Sequence, residues 1–327
     1  MCSREKNMGK YNAILVTGCG GDIGTGLARI LRKEGLARTL VGSDIRPDNA
    51  GTFVFDICDI LPRVDDPRYF EEAERLIKKY DIDVVIPMSE AEIRLWYRSG
   101  YTETFAGIPV VIPNSEVFDV AIDKVATAEF LKSLGLLYPW TMLVADGTPR
   151  ELPCIVKSRG TGDKGGVEIV DEFSVPYFTA KRPGNIWQEY LDGEEYTAGI
   201  YGCLDGEIRT IVMKRKLSGG MTGYTMGGEV VDEPEITRVL TELAKALTLK
   251  GGINVQLRLT KRGPVVFEIN PRFSSTVVFR HKLGFKDLVW SLEEKKGLPA
   301  SPYLPPKTGT KIYKGYTEYI EGVPNEF

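Results

Sequence analysis

Two short runs near the C-terminal end, Asn254-Val255-Gln256 and Glu268-Ile269-Asn270-Pro271-Arg272, constrain the fold more than any other part of the chain. In each, polar residues recur two apart within an apolar, strand-forming stretch. A strand sends successive side chains to opposite faces, so Asn254 and Gln256 share a face, as do Glu268 and Asn270. Val255, Leu257, Phe267 and Ile269 are then expected to enter the core. Between the runs, Lys261-Arg262-Gly263 suits a three-residue hairpin loop with glycine at the left-handed position. That register pairs Thr260 with Pro264 and sets Gln256 opposite Glu268, with Cβ atoms ~4.5–5.5 Å apart. Oxygen ligands thus gather on one face of a hairpin, with Arg272 just beyond it. Hard cations such as Mg²⁺ take oxygen ligands of this kind and usually share a phosphate. An amphipathic hairpin with a polar outer face would show the same alternation, so the rest of the chain has to discriminate.

The 327 residues suit two or three packed domains rather than one core. A net charge of −3 gives no general attraction to nucleic acid or membrane. No apolar run approaches the ~18 residues of a membrane helix. The charged start, residues 1–10, lacks the apolar centre of a signal peptide and is expected to fray. A cytoplasmic protein is the resulting expectation. Five scattered cysteines, Cys2, Cys19, Cys58, Cys154 and Cys203, have no zinc-type spacing and read as reduced and structural. The one histidine, His281, excludes a multi-histidine zinc site and any Ser-His-Asp relay that does not use it. Beside two cations, it reads as structural or solvent-facing.

Along the N-terminal third, strands alternate with helices. Residues 13–17 read as a buried strand, followed by the turn Gly18-Cys19-Gly20-Gly21-Asp22-Ile23-Gly24 and a helix to Glu34. Strands at 40–44, 83–87 and 108–113 flank a helix over 67–80. This alternation predicts a parallel, doubly wound α/β sheet. Asp123-Lys124 opens a further helix, and Pro153–Lys157 is a strand. Ser158–Gly166 follows with Gly160, Gly162, Gly165 and Gly166. Residues 186–196 start a new β section, continuing through 198–203 and 208–215. Residues 218–229 are glycine-rich and expected to be mobile, and a helix over 234–247 precedes the hairpin. No internal repeat is visible.

Several of these segments suit a bound polyanion. Glycine lets the backbone N–H groups of 158–166 approach an anion closely, with Arg159 and Lys164 adding charge. Lys157 at the preceding strand end, and Lys124 at a helix start, could both reach phosphate. Lys214, Arg215 and Lys216 form another cationic cluster. Gln188–Leu191 could border an adenine as a strand edge, and Glu195 could accept from two ribose hydroxyls.

The order of these parts resembles the ATP-grasp superfamily, and within it the carbamoyl-phosphate-synthetase-like branch. The likeness spans roughly residues 10–295. It rests on Lys124, the strand ending at Lys157, the Gly-rich loop, Gln-Glu-Tyr-Leu-x-Gly-x-Glu-Tyr from Gln188, and Asn-Val-Gln…Glu-Ile-Asn-Pro-Arg. The resemblance implies a fold with a Rossmann-like α/β domain over 1–113 and a small lid over 114–185. An α+β domain with an antiparallel sheet over 186–300 and a tail over 301–327 would complete it. It implies that Lys124, Lys157, Gly160 and Gly162 contact ATP phosphates, that Gln188, Glu189 and Leu191 border the adenine, and that Glu195 holds the ribose. Gln256, Glu268 and Asn270 would bind Mg²⁺, or Mn²⁺ in its place, and Arg272 would stabilise the moving phosphoryl group. Lys214 or Arg215 would take an additional phosphate position, with no choice between them. Many relatives carry Asp or Glu where Gln256 stands, but this branch commonly has Gln.

The implied activity joins a small-molecule carboxylate to an amine through an acyl phosphate, with release of ADP and phosphate. A homodimer is the default if the chain self-associates. One alternative shares part of the pattern. Gly18-x-Gly20-Gly21-x-x-Gly24 with Asp44 at the next strand end also suits an NAD(P)-dependent short-chain dehydrogenase or epimerase, for which Tyr177-x-x-x-Lys181 would serve. Pro176 and Pro183 leave little room for the long helix that chemistry needs, and Glu268–Arg272 would go unexplained.

Overall fold

The computed structural model describes residues 10–160, 166–219 and 225–315. The chain divides into two compact units: Met1–Ile112 with Phe273–Pro302 and Tyr313–Phe327, and Pro113–Arg272 with Tyr303–Ile312.

The first unit is built on four parallel strands, β1 (Tyr11–Thr17), β2 (Ala37–Asp44), β3 (Ile57–Ile60) and β4 (Val84–Ile86), in the order β3-β2-β1-β4. Strand β1 is an almost continuous apolar run because both of its faces are covered. Ile14 and Val16 pack against Leu27, Ala28 and Leu31 of the helix Asp22–Glu34. Ala13 and Leu15 face Leu76 of the helix Tyr69–Tyr80 and Trp96 of the helix Glu90–Arg98. Gly24 lets the first helix sit on its turn: a Cβ there would lie 2.6 Å from the Gly18 carbonyl oxygen and 2.9 Å from Cys19 Cα.

Two expectations change here. Residues 108–113 do not form a full strand of this sheet. Strand β5 (Thr104–Phe105) pairs with β6 (Ile108–Pro109) in a small hairpin, and Val110 makes a single parallel bridge to Val85. Pro109 and Pro113 lack the N–H that a longer ladder needs. The edge strand β3 has only four residues and was not anticipated. The segment from Phe273 to Pro302 joins this unit rather than the preceding sheet. Phe273, Val277, Leu288 and Leu292 share one apolar cluster with Leu27 and Leu31. A boundary near 300 therefore does not follow the packing. His281 is buried, with Nε2 2.9 Å from Glu34, so it is structural rather than solvent-facing.

The second unit holds two sheets. One is antiparallel, in the order β7-β10-β8-β9: β7 (Thr141–Leu143), β8 (Cys154–Ser158), β9 (Glu168–Val170) and β10 (Asn185–Glu189). Strand β10 therefore completes the small sheet instead of opening the next β section. The larger sheet has the order β15-β14-β11-β12-β13-β16. Its strands are β11 (Glu194–Gly202), β12 (Ile208–Leu217), β13 (Thr225–Val230), β14 (Gly251–Thr260), β15 (Gly263–Asn270) and β16 (Lys311–Tyr313). Much of the segment expected to be a mobile Gly-rich loop is thus strand β13; residues 220–224 lie outside the described residues. Ile236, Val239, Leu240 and Leu243 of the helix Pro234–Ala246 cover one face of the sheet, against Tyr196, Ala198, Val212, Val255, Leu257 and Ile269. Fully burying each such side chain contributes about 1.5–3 kcal/mol. The other face carries polar residues such as Glu195, Thr197 and Gln256 toward one end, beside the apolar Ile211, Met213 and Tyr201.

The β14–β15 hairpin differs from its expected register in two ways that cancel. The turn is tighter, with Thr260 opposite Gly263, whose φ of +115° favours glycine. A bulge next to Gln256 then adds one residue to β15. Gln256 still faces Glu268, and Asn254 faces Asn270. The bulge moves Val266 into the core and leaves Phe267 only half-buried, contrary to the simple alternation.

Candidate active site

The polar face of the larger sheet gathers side chains from four adjacent strands. Antiparallel register places Glu195 opposite Arg258 and Thr197 opposite Gln256 on β11 and β14, and Gln256 opposite Glu268 on β15. These pairs share a face because directly opposed residues point the same way. Thr197 donates to Asn254 Oδ1 at 2.9 Å, fixing that amide.

Glu268 is the electrostatic centre. Lys124, the first residue of the helix Lys124–Ser133, brings its ammonium to 3.5 Å from the Glu268 carboxylate. The helix start is fixed by Asp123, whose side chain accepts from Val125 N–H. Burial alone would raise the Glu268 carboxyl, but Lys124, Lys157 and Arg272 outweigh it and hold the group below its ordinary value. Lys157 enters from β8, is 6% exposed, and has Nζ 5.1 Å from the centre of the Phe267 ring. Burial lowers its ammonium to about 8, opposed by Glu268 and Glu195 and assisted by Lys124. Keeping Lys157 charged at neutral pH therefore costs on the order of 3 kcal/mol, an expense that an arriving phosphate would offset.

Beside this centre lies a second network. Glu195 bonds Arg215 through Oε1 and Arg258 through Oε2, the latter at 2.8 Å. Arg215 also donates to Gln256 Oε1 at 3.3 Å and to Thr225 Oγ1 at 2.9 and 2.7 Å. Arg258 reaches the carbonyls of Leu191 and Gly193 at 3.1 and 3.2 Å. It was missed in the sequence, although the i, i+2 polar pattern of Asn254 and Gln256 continues to it.

Strand alternation separates the two candidates on β12. Arg215 lies on the face of Glu195 and Gln256. Lys214, opposite core residue Tyr196, is 42% exposed and pairs with Glu194. Gln188 is buried, its amide donating to Thr141 Oγ1 at 3.1 Å. Because β10 lies between β7 and β8, its backbone is engaged by the sheet and does not form an open edge; the Glu189 N–H bonds the Trp140 carbonyl. The chain leaves the sheet at Tyr190 and Leu191. The Glu189 carboxylate pairs with Arg262. Arg159 is turned to Asp123 at 2.6 Å and so braces the start of the Lys124 helix rather than adding free charge to the Gly-rich loop. Gly160 lies at the loop's start; Gly162 and Lys164 lie outside the described residues.

An all-oxygen donor set of a Gln carbonyl, an ionised Glu and an Asn carbonyl suits a hard divalent cation. The fit rests on the depressed Glu268 carboxyl and on the opposition of Gln256 and Glu268.

The dehydrogenase alternative finds no support. One carboxylate oxygen of Asp44 accepts the Gly20 N–H at 3.0 Å. Tyr177 and Lys181 stand exposed on the seven-residue helix Val175–Lys181. Tyr177→Phe is expected to leave ATP-dependent turnover within about twofold of wild type, as an exposed substitution should; loss of turnover would contradict that. No helix among the described residues is long and apolar enough to cross a membrane.

Residues 181–315 match a family model described as ATP-grasp in the biosynthetic pathway with Ter operon. The chain is 25% identical over 230 residues to the D-alanine–D-alanine ligase of Aquifex aeolicus, a match covering 59% of this chain and 78% of that one. It is 29% identical over 202 residues to the carbamoyl phosphate synthase large chain of Thermomicrobium roseum, covering 54% of this chain and only 18% of that protein. The L-amino acid ligase of Bacillus licheniformis superposes with a TM-score of 0.68 at 18% identity, covering 87% of this chain and 75% of that one. In fold and in the relatives it matches, the chain is similar to ATP-dependent ligases, and residues 181–315 carry the ATP-grasp match.

Proposed function

We propose that this protein couples ATP hydrolysis to amide formation between two small amino-acid-like molecules on the polar face of the larger sheet. The observation that carries the site assignment is Glu268, set opposite Gln256 and surrounded by Lys124, Lys157 and Arg272. A carboxylate oxygen of the first substrate attacks the γ-phosphorus, the bond to the β-phosphate oxygen breaks, and ADP leaves. The amine nitrogen of the second substrate then attacks the acyl carbon, the carbon–oxygen bond breaks, phosphate departs and the nitrogen loses a proton. Gln256, Glu268 and Asn270 would hold Mg²⁺, which supplies charge neutralisation to the phosphates. Lys124 and Lys157 neutralise the polyphosphate, while Arg215 and Arg272 stabilise the phosphoryl group in transfer. Arg258 positions Glu195 and the 191–193 carbonyls that border the nucleotide. Substrates of the amino-acid class are suggested by the relatives' names, a biosynthetic role by the family description, and a cytoplasmic setting by the composition.

Arg215→Met is expected to slow ADP formation at least about tenfold, whereas Lys214→Met should change it by less than about twofold; steady-state ADP release separates the two. The function itself is tested by incubating the protein with Mg-ATP, pooled amino acids and hydroxylamine. ADP, phosphate and a hydroxamate trapped from the acyl phosphate are expected. Release of AMP and pyrophosphate would contradict the reading.

A further inference from the structure

The first unit contains a cavity of about 230 Å³ that the ATP-site reading does not use. It lies where the carboxyl ends of all four parallel strands converge: Gly18 after β1, Ser43 and Asp44 on β2, Leu61–Val64 after β3, and Ser89–Glu92 after β4. The order β3-β2-β1-β4 puts the topological switch between β1 and β4, where open parallel sheets bind ligands.

Its floor is polar and acidic. Glu92 is 8% exposed, and three donors hold its carboxylate. Tyr69 O–H donates to Oε1 at 2.8 Å; Thr17 O–H and Ser89 N–H donate to Oε2 at 2.9 and 3.2 Å. Trp96 N–H in turn donates to the Tyr69 oxygen at 3.0 Å. Ser43 sits beside Thr17 in the parallel register and so shares the Glu92 face. Ser43 is fully buried, yet its hydroxyl has no hydrogen-bond partner among the described residues. An orphaned buried hydroxyl beside a cavity is a position for a ligand atom, because leaving it unpaired costs about 1–3 kcal/mol. Asp44 adds a second carboxylate, one oxygen of which receives the Gly20 N–H. The one cation on the lining, Arg63, is exposed and paired with Asp65 at 3.3 Å. Ile45, Leu61, Pro62 and Val64 make the walls apolar.

We infer that this cavity binds the ammonium group of a small molecule, with an aliphatic body against the apolar walls. An ammonium offers three N–H donors and no acceptor. Ser43 Oγ, Glu92 Oε1 and Asp44 supply acceptors and two negative charges. Assigning that molecule as one of the ligase's two substrates rests on the proposed function; the ammonium preference of the cavity does not.

The test uses full-length protein at pH 7.5 with n-butylammonium chloride and neutral n-butanol as probes, followed by ligand-observed NMR titration. Saturable binding of the amine is expected, at least about tenfold tighter than the alcohol. Ser43→Ala should weaken it about three- to tenfold, the loss of one hydrogen bond. Val64→Trp should abolish it by filling the cavity. Glu92→Gln should weaken it further but also disturbs the Tyr69–Thr17 network, so the first two variants decide. Equal binding of amine and alcohol, or amine binding unchanged in both variants, would overturn the inference. Mg-ATP binding measured in the same samples keeps the two readings apart: ATP bound without the amine leaves the ligase reading standing and removes this one.

Discussion

Glu268→Gln is expected to lower ADP-forming turnover by about 10²–10³-fold, comparable to removal of one preorganised charge-stabilising group from a transition state. The substitution keeps the shape of the side chain and one carbonyl oxygen but removes the negative charge that faces Lys124, Lys157 and Arg272. Two effects then combine. The cation that Gln256, Glu268 and Asn270 would hold loses its one anionic ligand. Lys124 also loses its ion-pair partner, and Lys157 loses the counter-charge that opposes the lowering of its ammonium. Removing one partner of a fully buried pair costs about 3–5 kcal/mol. Glu268 remains 19% exposed and Lys157 can release its proton, so the cost here should lie at or below the lower end of that range. The variant should melt at a lower temperature but remain folded, with circular dichroism unchanged before the transition. Wild-type turnover in a folded Glu268→Gln protein would remove Glu268 from the metal site.

Lys157 gives the second large effect and ties it to pH. Burial lowers its ammonium to about 8 in the free protein, and a polyphosphate would raise it again by adding negative charge. ATP would thus bind the protonated form. Below pH 8 that form predominates and affinity should be nearly constant. Above pH 8 binding must take up a proton, so the Kd for Mg-ATP should rise, approaching tenfold per pH unit, until pH exceeds the ammonium's value in the complex. Lys157→Met should bind Mg-ATP about 10²-fold more weakly and lose this alkaline dependence. Lys157→Arg should also lose the dependence, since a guanidinium stays charged, whatever its affinity. Calorimetry between pH 7 and 10 checks all three. A wild-type Kd independent of pH, or equal affinity in Lys157→Met, would place Lys157 outside the phosphate site.

The candidate site was more legible in the sequence than the framework that carries it. Polar residues two apart at 254–256 and 268–270 marked the polar face of the sheet because strand alternation is local and robust. The opposition of Gln256 and Glu268 survived because a tighter turn and a bulge shift the register in opposite directions, which no local pattern announces. The same bulge moved Phe267 out of the expected core to lie beneath Lys157. Arg258 was legible as the next member of the alternation, but its grip on Glu195 depends on β11 pairing with β14, a contact between strands distant in sequence. The choice between Lys214 and Arg215 also needed that sheet, since adjacent residues on a strand face opposite ways. The return of Phe273–Pro302 to the first unit was hidden for a similar reason: its apolar residues match a helix more than 240 positions earlier. Ser43 gave no signal, because a serine at a strand end becomes informative only once its neighbours are seen to leave it unpaired.

The central claim, that the polar face around Glu268 is a Mg-ATP site, is tested most directly by isothermal calorimetry of Mg-ATP, NAD⁺ and NADP⁺ against wild type and Glu268→Gln. Saturable Mg-ATP binding that weakens at least about tenfold in the variant is expected, with no dinucleotide binding to either protein. Dinucleotide binding without ATP binding, or ATP binding of equal strength in both proteins, would contradict it.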